Sequence, residues 1–276
     1  MNTIPKKIHW CWLSGEPLPK LVQQCINSWK RVMPDYEITL WDQSRFDIHS
    51  VKFVEDACKA RKWAFAADYI RLYALYHEGG IYLDSDVKVF RRFDTLLNHA
   101  AFSAVEYYPA MKSLRTGKDD QYWGYDIQAA IIGSEKGNDF IKICLDHYRE
   151  KEFKMTSNGD IDVDLVPIVM ARIAHQYYGF QYDLPLDTTQ YLKNDIVIFP
   201  PRVLSVLFGK ADMNTYAIHL GQFSWLPKIK QPTGLHKFHR NLCGNYLFFA
   251  MIHWKRKNLQ RRITRLVRGY ASHRLF

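Results

Sequence analysis

Two aspartates separated by one serine, Asp84-Ser85-Asp86, are the residues of this chain best suited to hold a cation. They follow an aromatic-apolar run that reads as a strand over residues 81–90. On a strand, Tyr82, Asp84, Asp86 and Lys88 would share one face, and Ile81, Leu83, Val87 and Val89 the other. Carboxylates that converge on one face repel each other, and that repulsion is costly unless it is neutralised. A divalent cation neutralises it, and hard oxygen donors suit Mg²⁺ or Mn²⁺. Such an ion can bridge a diphosphate and offset the charge that builds on a leaving group. A D-x-D triplet is common by chance, and a solvated strand end or a turn is the plain alternative.

Asp68 and Arg71 strengthen the case. They stand three apart on a helix predicted over residues 57–78, so they share a face. A surface ion pair would be unremarkable there. Residues 63–76 are otherwise almost wholly apolar, however, and a charged pair in such a helix is costly unless it serves a site. His219, at the end of a short predicted strand, is either a ligand or a structural histidine. Trp12 is either a platform for a base or a core residue. A second D-x-D, Asp162-Val163-Asp164, precedes a predicted helix and reads as a helix N-cap.

The elements that must position these groups alternate between strand and helix. Residues 4–13 read as a strand, 18–32 as a helix with Leu21, Val22, Cys25, Ile26 and Trp29 on its apolar face, and 36–41 as a strand. Gly79-Gly80 closes the helix that carries Asp68 and Arg71. Further strands are predicted at 102–106, 127–133, 196–199 and 216–220, with helices at 138–150 and 164–178. Residues 107–124 read as a long loop, of a length that often serves function. Strand, helix, strand at this spacing is the start of an α/β sheet.

The chain has 276 residues, 47% of them hydrophobic and 15% aromatic, which suits one large domain, or one domain with an appended tail. Five cysteines without a C-x-x-C pair argue against a disulfide framework or a zinc site and for a reducing, cytoplasmic setting. Residues 1–10 do not resemble a signal peptide, and no apolar run reaches the length of a membrane span. The net charge of +10 is uneven: twelve Lys and Arg and no acidic residue follow Asp212, so residues 1–212 are close to neutral. In the tail, Leu259, Ile263, Leu266, Val267 and Tyr270 recur at helical spacing opposite Lys257, Arg261, Arg265 and Arg268. A basic amphipathic helix of this kind reads as an anchor on an anionic membrane, with nucleic acid as the rival partner. The expected division is a catalytic domain over residues 1–232 and a basic helical tail over 233–276, peripheral at the inner face of the cell membrane.

Ala66-Ala67-Asp68-Tyr69-Ile70-Arg71 followed by Gly79-Gly80-Ile81-Tyr82-Leu83-Asp84-Ser85-Asp86 resembles the signature of the D-x-D sugar-binding glycosyltransferases of family-32 type. That family includes bacterial capsular polysaccharide enzymes, with a more distant similarity to the large clostridial toxin glucosyltransferases. The opening run Ile4 to Trp12, Ile26-Asn27-Ser28-Trp29, Pro34-Asp35-Tyr36-Glu37, and His219 with Ser224-Trp225 are similar to other elements of the family. The resemblance implies a GT-A fold, a Rossmann-like α/β domain with a mixed central sheet. It implies a retaining transfer of a hexose or N-acetylhexosamine, from a nucleotide sugar of UDP type, to a polysaccharide or lipid-linked oligosaccharide such as those of the capsule. By resemblance, Cys11, Trp12 and Tyr82 would line the nucleotide pocket. Asp68 and Arg71 would hold the sugar and diphosphate, and Asp84, Asp86, His219 and Ser224 the metal, with Trp225 closing over them. The family's asparagine near residue 128 is absent, which leaves Gln128 or Asp126 as the polar group facing the donor sugar. Two other classes compete: a membrane- or nucleic-acid-binding protein on a degenerate transferase scaffold, and a metal-dependent phosphodiesterase, which lacks the His and Asp clusters of a two-metal site.

Overall fold

A computed structural model describes residues 4–107, 125–154, 163–182, 184–205 and 212–221. Ser224, Trp225, Asp162, most of the 107–124 loop and the basic tail lie outside the described residues.

The chain begins with β1 (Lys7–Cys11), α1 (Lys20–Val32) and β2 (Glu37–Trp41), close to the predicted order. Next come α2 (Lys52–Lys59), α3 (Trp63–Glu78), β3 (Gly80–Leu83), β4 (Val87–Val89) and β5 (Ala101–Tyr107). Then follow β6 (Tyr125–Ile127), β7 (Ile131–Ser134), α4 (Asp139–Arg149) and α5 (Val166–Ile173). The last described strands are β8 (Gln190–Leu192), β9 (Ile196–Phe199), β10 (Leu204–Ser205) and β11 (Ala217–His219).

A central sheet runs β2-β1-β3-β7-β5-β9-β8, with β6 paired to β5. It is mixed, as expected: β1 is parallel to β2 and β3, whereas β7 is antiparallel to both β3 and β5. A separate three-stranded sheet runs β10-β11-β4. Alternation along the central strands feeds two cores. Tyr82 and Cys11 face the cluster built with α2, α3, α4 and α5, and Ile8, Trp10, Ile81 and Leu83 face the cluster built with α1 and the small sheet. Both faces of the central sheet are therefore covered, as an α/β architecture requires.

Three predicted elements are broken, each at a place that matters. The helix read from residue 57 is two helices. Arg61 adopts φ 55°, and the Lys62 and Arg61 amides donate to the carbonyls of Ala57 and Cys58, a Schellman closure with arginine where glycine is usual. The strand read over 81–90 is β3 and β4 joined by a turn, in which the Val87 amide donates to the Asp84 carbonyl at 2.9 Å. The strand read over 127–133 is β6 and β7, with residues 128–130 between them.

Gly79 and Gly80 deliver the chain from α3 into β3 with φ of 67° and 116°. A Cβ on Gly79 would lie 2.7 Å from the Lys136 amide nitrogen, and one on Gly80 2.7 Å from the Lys7 carbonyl oxygen. The fully buried His9 fixes this corner: its Nε2 donates to the Gly79 carbonyl at 2.8 Å, while its Nδ1 accepts from the Trp41 indole at 3.0 Å. Burial lowers the His9 pKa, in keeping with a neutral ring that donates on one side and accepts on the other.

Candidate active site

Asp84 and Asp86 sit in the turn where the central sheet hands over to the small one. Asp84 follows β3, and its amide donates to the Ala130 carbonyl at 2.9 Å. Asp86 precedes β4, and its carbonyl accepts from the Leu220 amide at 3.0 Å. The two carboxylates converge because both ends of the turn are pinned, and strand alternation plays no part in it. That corrects the shared-strand-face expectation while keeping the pair together.

His219 arrives from β11, which lies antiparallel to β4 with His219 opposite Val87. Its Nε2 is 3.2 Å from Asp86 Oδ1 and 3.9 Å from Asp84 Oδ2. One ligand atom from each of Asp84, Asp86 and His219 fits within 4.8 Å of the others. Burial disfavours the charged imidazole, but Asp86, then Asp84 and Glu106, outweigh it and carry its pKa up to about 9. A proton thus supplies the positive charge that two facing carboxylates need. Two carboxylates and an imidazole are also a donor set that suits a divalent ion such as Mn²⁺.

Asp68 and Arg71 adjoin this cluster from α3. Arg71 is buried, and its Nη2 lies 2.7 Å from Asp68 Oδ1 and 3.4 Å from Asp84 Oδ1. Its Nη1 donates to the Ala129 carbonyl at 2.7 Å and its Nε to the Ala67 carbonyl at 3.2 Å. The guanidinium also stacks 4.7 Å above the Tyr82 ring. Burial opposes its charge, yet Asp84, Tyr82 and Asp68 together hold its pKa above the ordinary arginine value. One cation thus serves two carboxylates, with Asp68 at the shorter distance. Burial pushes the Asp68 pKa up to about 7; Arg71 pulls the other way, and the Asp84 charge adds to the rise.

The remaining predicted residues fall into three groups. Tyr82 is 1% exposed, and its hydroxyl donates to Asp84 Oδ1 at 3.0 Å, so it buttresses the aspartate from below. Cys11 is a buried free thiol whose pKa burial raises to about 12. Trp12 is half-buried, with its indole nitrogen donating to the Glu16 carbonyl at 2.7 Å. Gln128 is fully buried and donates its amide to the Leu204 carbonyl, and its Oε1 has no hydrogen-bond partner among the described residues. In this arrangement it ties the residues between β6 and β7 to β10. Asp164 caps no helix by its side chain: Leu165 is the N-cap of α5, and Asp164 pairs with Arg172 at 3.0 Å and His147 at 3.3 Å.

Backbone contributions escaped the sequence reading. Because the strand breaks at residues 128–130, the carbonyls of Ala129 and Ala130 are free to receive Arg71 and the Asp84 amide. The alanines carry no polar side chain that could have announced this. The site lies beyond the C-terminal ends of the parallel strands β1 and β3, where ligands bind in open α/β sheets.

Comparison with known proteins agrees with the residues. Residues 19–103 match the family described as the glycosyltransferase sugar-binding region containing DXD motif. Inositol phosphoceramide mannosyltransferase 3 of Schizosaccharomyces pombe is 35% identical over 106 residues, 36% of this chain and 29% of that protein. Mannosyl phosphorylinositol ceramide synthase SUR1 of Saccharomyces cerevisiae is 27% identical over 180 residues, 58% of this chain and 46% of that protein. The match thus spans less than half the length of either relative. Among solved structures, the PaToxG glycosyltransferase shows a distant likeness, with a TM-score of 0.44 and 19% identity over 63% of this chain and 69% of that one. Residues 19–103 are thus similar to the sugar-binding region of the DXD-motif glycosyltransferases, and Asp84-Ser85-Asp86 is the D-x-D triplet in that stretch.

Proposed function

We propose that this chain is a retaining glycosyltransferase that moves a hexose or N-acetylhexosamine from a nucleotide sugar to a glycan or a lipid-linked oligosaccharide. The observation that carries this reading is the convergence of Asp84, Asp86 and His219 beside a buried Asp68–Arg71 pair. Asp84, Asp86 and His219 would hold Mn²⁺ or Mg²⁺, with Ser224 as a further ligand by resemblance. Bound there, the ion would supply charge neutralisation for the departing nucleoside diphosphate. Arg71, held by two backbone carbonyls and a tyrosine ring, presents a fixed positive charge that needs little reorganisation during transfer. Asp68 would accept hydrogen bonds from hydroxyls of the donor sugar. Cys11, Trp12 and Trp225 would complete the nucleotide side.

UDP is the favoured nucleotide on resemblance to capsular enzymes. The relatives named as mannosyltransferases add mannose to the candidate sugars, and their names carry ceramide acceptors, which supports a lipid-linked acceptor. Twelve basic and no acidic residues after Asp212 support an anionic membrane surface as partner and a peripheral position at the inner face of the cell membrane. Among the described residues no helix is long and apolar enough to cross a membrane.

The test is a thermal-shift screen of UDP- and GDP-linked sugars with and without Mn²⁺, since a ligand that binds only the folded form raises the melting point. One nucleotide sugar should stabilise the protein in a Mn²⁺-dependent way, and Asp86→Ala should abolish both that shift and sugar transfer. A surface-binding protein on a degenerate scaffold would show neither in the wild type. Inversion at the transferred anomeric carbon would rule out the retaining assignment.

A further inference from the structure

Strand β4 carries Asp86 at its entrance and lies opposite His219, yet it has three residues, β11 has three and β10 two. Strands this short contribute few ladder hydrogen bonds of their own. A slip of one residue between β4 and β11 would turn Asp86 to the opposite face and part it from His219. Contacts from outside the small sheet add to what holds that register.

The bonding along β4 shows these contacts. One edge is taken by the β11 segment: the Asp86 carbonyl accepts from the Leu220 amide at 3.0 Å, and the Phe90 amide donates to the Tyr216 carbonyl at 2.8 Å. Among the described residues the opposite edge pairs with no strand and is met by α1. The Trp29 indole nitrogen donates to the Val87 carbonyl at 2.8 Å, and the Val89 amide donates to Ser28 Oγ at 3.0 Å. Ser28 passes its own proton to the Cys25 carbonyl at 2.6 Å, which leaves the oxygen free to accept. Both residues are buried, Trp29 at 0% and Ser28 at 2% exposure, and Trp29 is braced edge-on against Trp10. Two consecutive side chains of a helix thus make the two hydrogen bonds that a neighbouring strand would make. The spacing of the Ser28 oxygen and the Trp29 nitrogen matches a carbonyl and an amide two residues apart on β4.

We infer that Ser28 and Trp29 are positioning residues for the cation site, holding β4 in the one register that presents Asp86 to His219. The inference rests on the reading of Asp84, Asp86 and His219 as cation ligands. Their hydrogen bonds to β4 go to its backbone, one and three residues past Asp86. Their effect runs through the Val87 and Val89 backbone, in the way outer partners of ligands set metal affinity.

The experiment measures binding of MnCl₂ alone to the metal-free full chain, by calorimetry or by electron paramagnetic resonance of free Mn²⁺. It compares the wild type, Trp29→Phe, Ser28→Ala, Asp86→Asn and Asn138→Ala. Asn138 serves as the control: it is buried, and its Oδ1 accepts from the Phe140 amide at 3.1 Å where it caps α4, at the end of β3 away from Asp84. The expected result is Mn²⁺ affinity reduced roughly 10-fold or more in Trp29→Phe and Ser28→Ala, and unchanged in Asn138→Ala even where its melting point falls as far as theirs. Affinity within twofold of wild type for Trp29→Phe and Ser28→Ala, with Asp86→Asn abolishing binding, overturns the inference and leaves the cation site standing. Equal binding by all five proteins overturns the cation site itself. If Trp29→Phe does not fold, Ser28→Ala decides alone.

Discussion

Replacing Asp68 with asparagine should make the metal-free protein more stable at neutral and alkaline pH, and only there. The carboxylate is buried, with its side chain 14% exposed, and it shares the Arg71 guanidinium with Asp84. Its pKa stands at about 7 in the folded protein, raised first by burial, against an ordinary value of 3.8. Below about pH 4 the folded and unfolded chains both carry the proton. Between the two values the unfolded chain ionises while the folded one keeps its proton, so stability falls as pH rises through this window. Above about pH 7 the whole penalty is in place, at most about 4 kcal/mol for a displacement of this size. Asparagine keeps the shape and an oxygen for Arg71 but must itself be desolvated, which offsets part of the gain. A net gain of about 1–3 kcal/mol at pH 8 is expected, equivalent to roughly 2–10 °C in melting point for a chain of this size. At pH 5 the difference should shrink towards zero. Calorimetric melting of both proteins between pH 5 and 8.5 reads this directly, because titrating groups not coupled to Asp68 cancel in the difference. A melting-point difference that is flat with pH, or negative at pH 8, would refute the argument. The same variant should lose donor-sugar binding, so that a group which strains the empty protein is kept for what it does to a ligand.

Arg71→Lys should retain charge but cost at least tenfold in transfer rate, because an ammonium cannot hold Asp68 and the Ala67 and Ala129 carbonyls at once; steady-state kinetics checks it. Gly133→Ala should destabilise the fold by about 1–3 kcal/mol or more. A Cβ there would sit 2.0 Å from a carbon of the Phe102 ring, which is itself 1% exposed, and urea unfolding measures the loss. Deleting residues 242–276 should release the protein from anionic vesicles while Mn²⁺-dependent donor binding persists. Unchanged vesicle sedimentation would count against the tail as anchor.

Much of this site was legible because its parts are local. Asp68 and Arg71 lie one helical turn apart, the glycine pair marks the end of that helix, and the two acids stand two residues apart. Helix α1 and strands β1 and β2 follow hydrophobic period and turn residues, and lie within a few residues of their expected bounds. The misreadings share a cause: tertiary bonds overrode local pattern. Alternation from Ile81 to Val89 is compatible with an unbroken strand, and only the pull of Ala130 on one side and Leu220 on the other bends it at Ser85. Arg61 in a left-handed conformation carries no signal of its own, since arginine is not a turn residue. The bond of Gln128 to the Leu204 carbonyl was not legible, because its partner is a backbone group 76 residues away. Ser28-Trp29 was visible as part of a resemblance, but its bonds to β4 exist only once the fold brings α1 alongside that strand.

The turn at Asp84-Ser85-Asp86 joins two sheets that share no strand among the described residues. Asp84 closes the central sheet, whereas Asp86 and His219 belong to the small one. An ion gripped by all three would act as a rivet between the layers, so occupancy of the site and the mutual alignment of the sheets become one equilibrium. Any substitution that loosens the small sheet then registers as weaker ion uptake, and ion uptake in turn stiffens a segment whose own ladder is too short to be rigid.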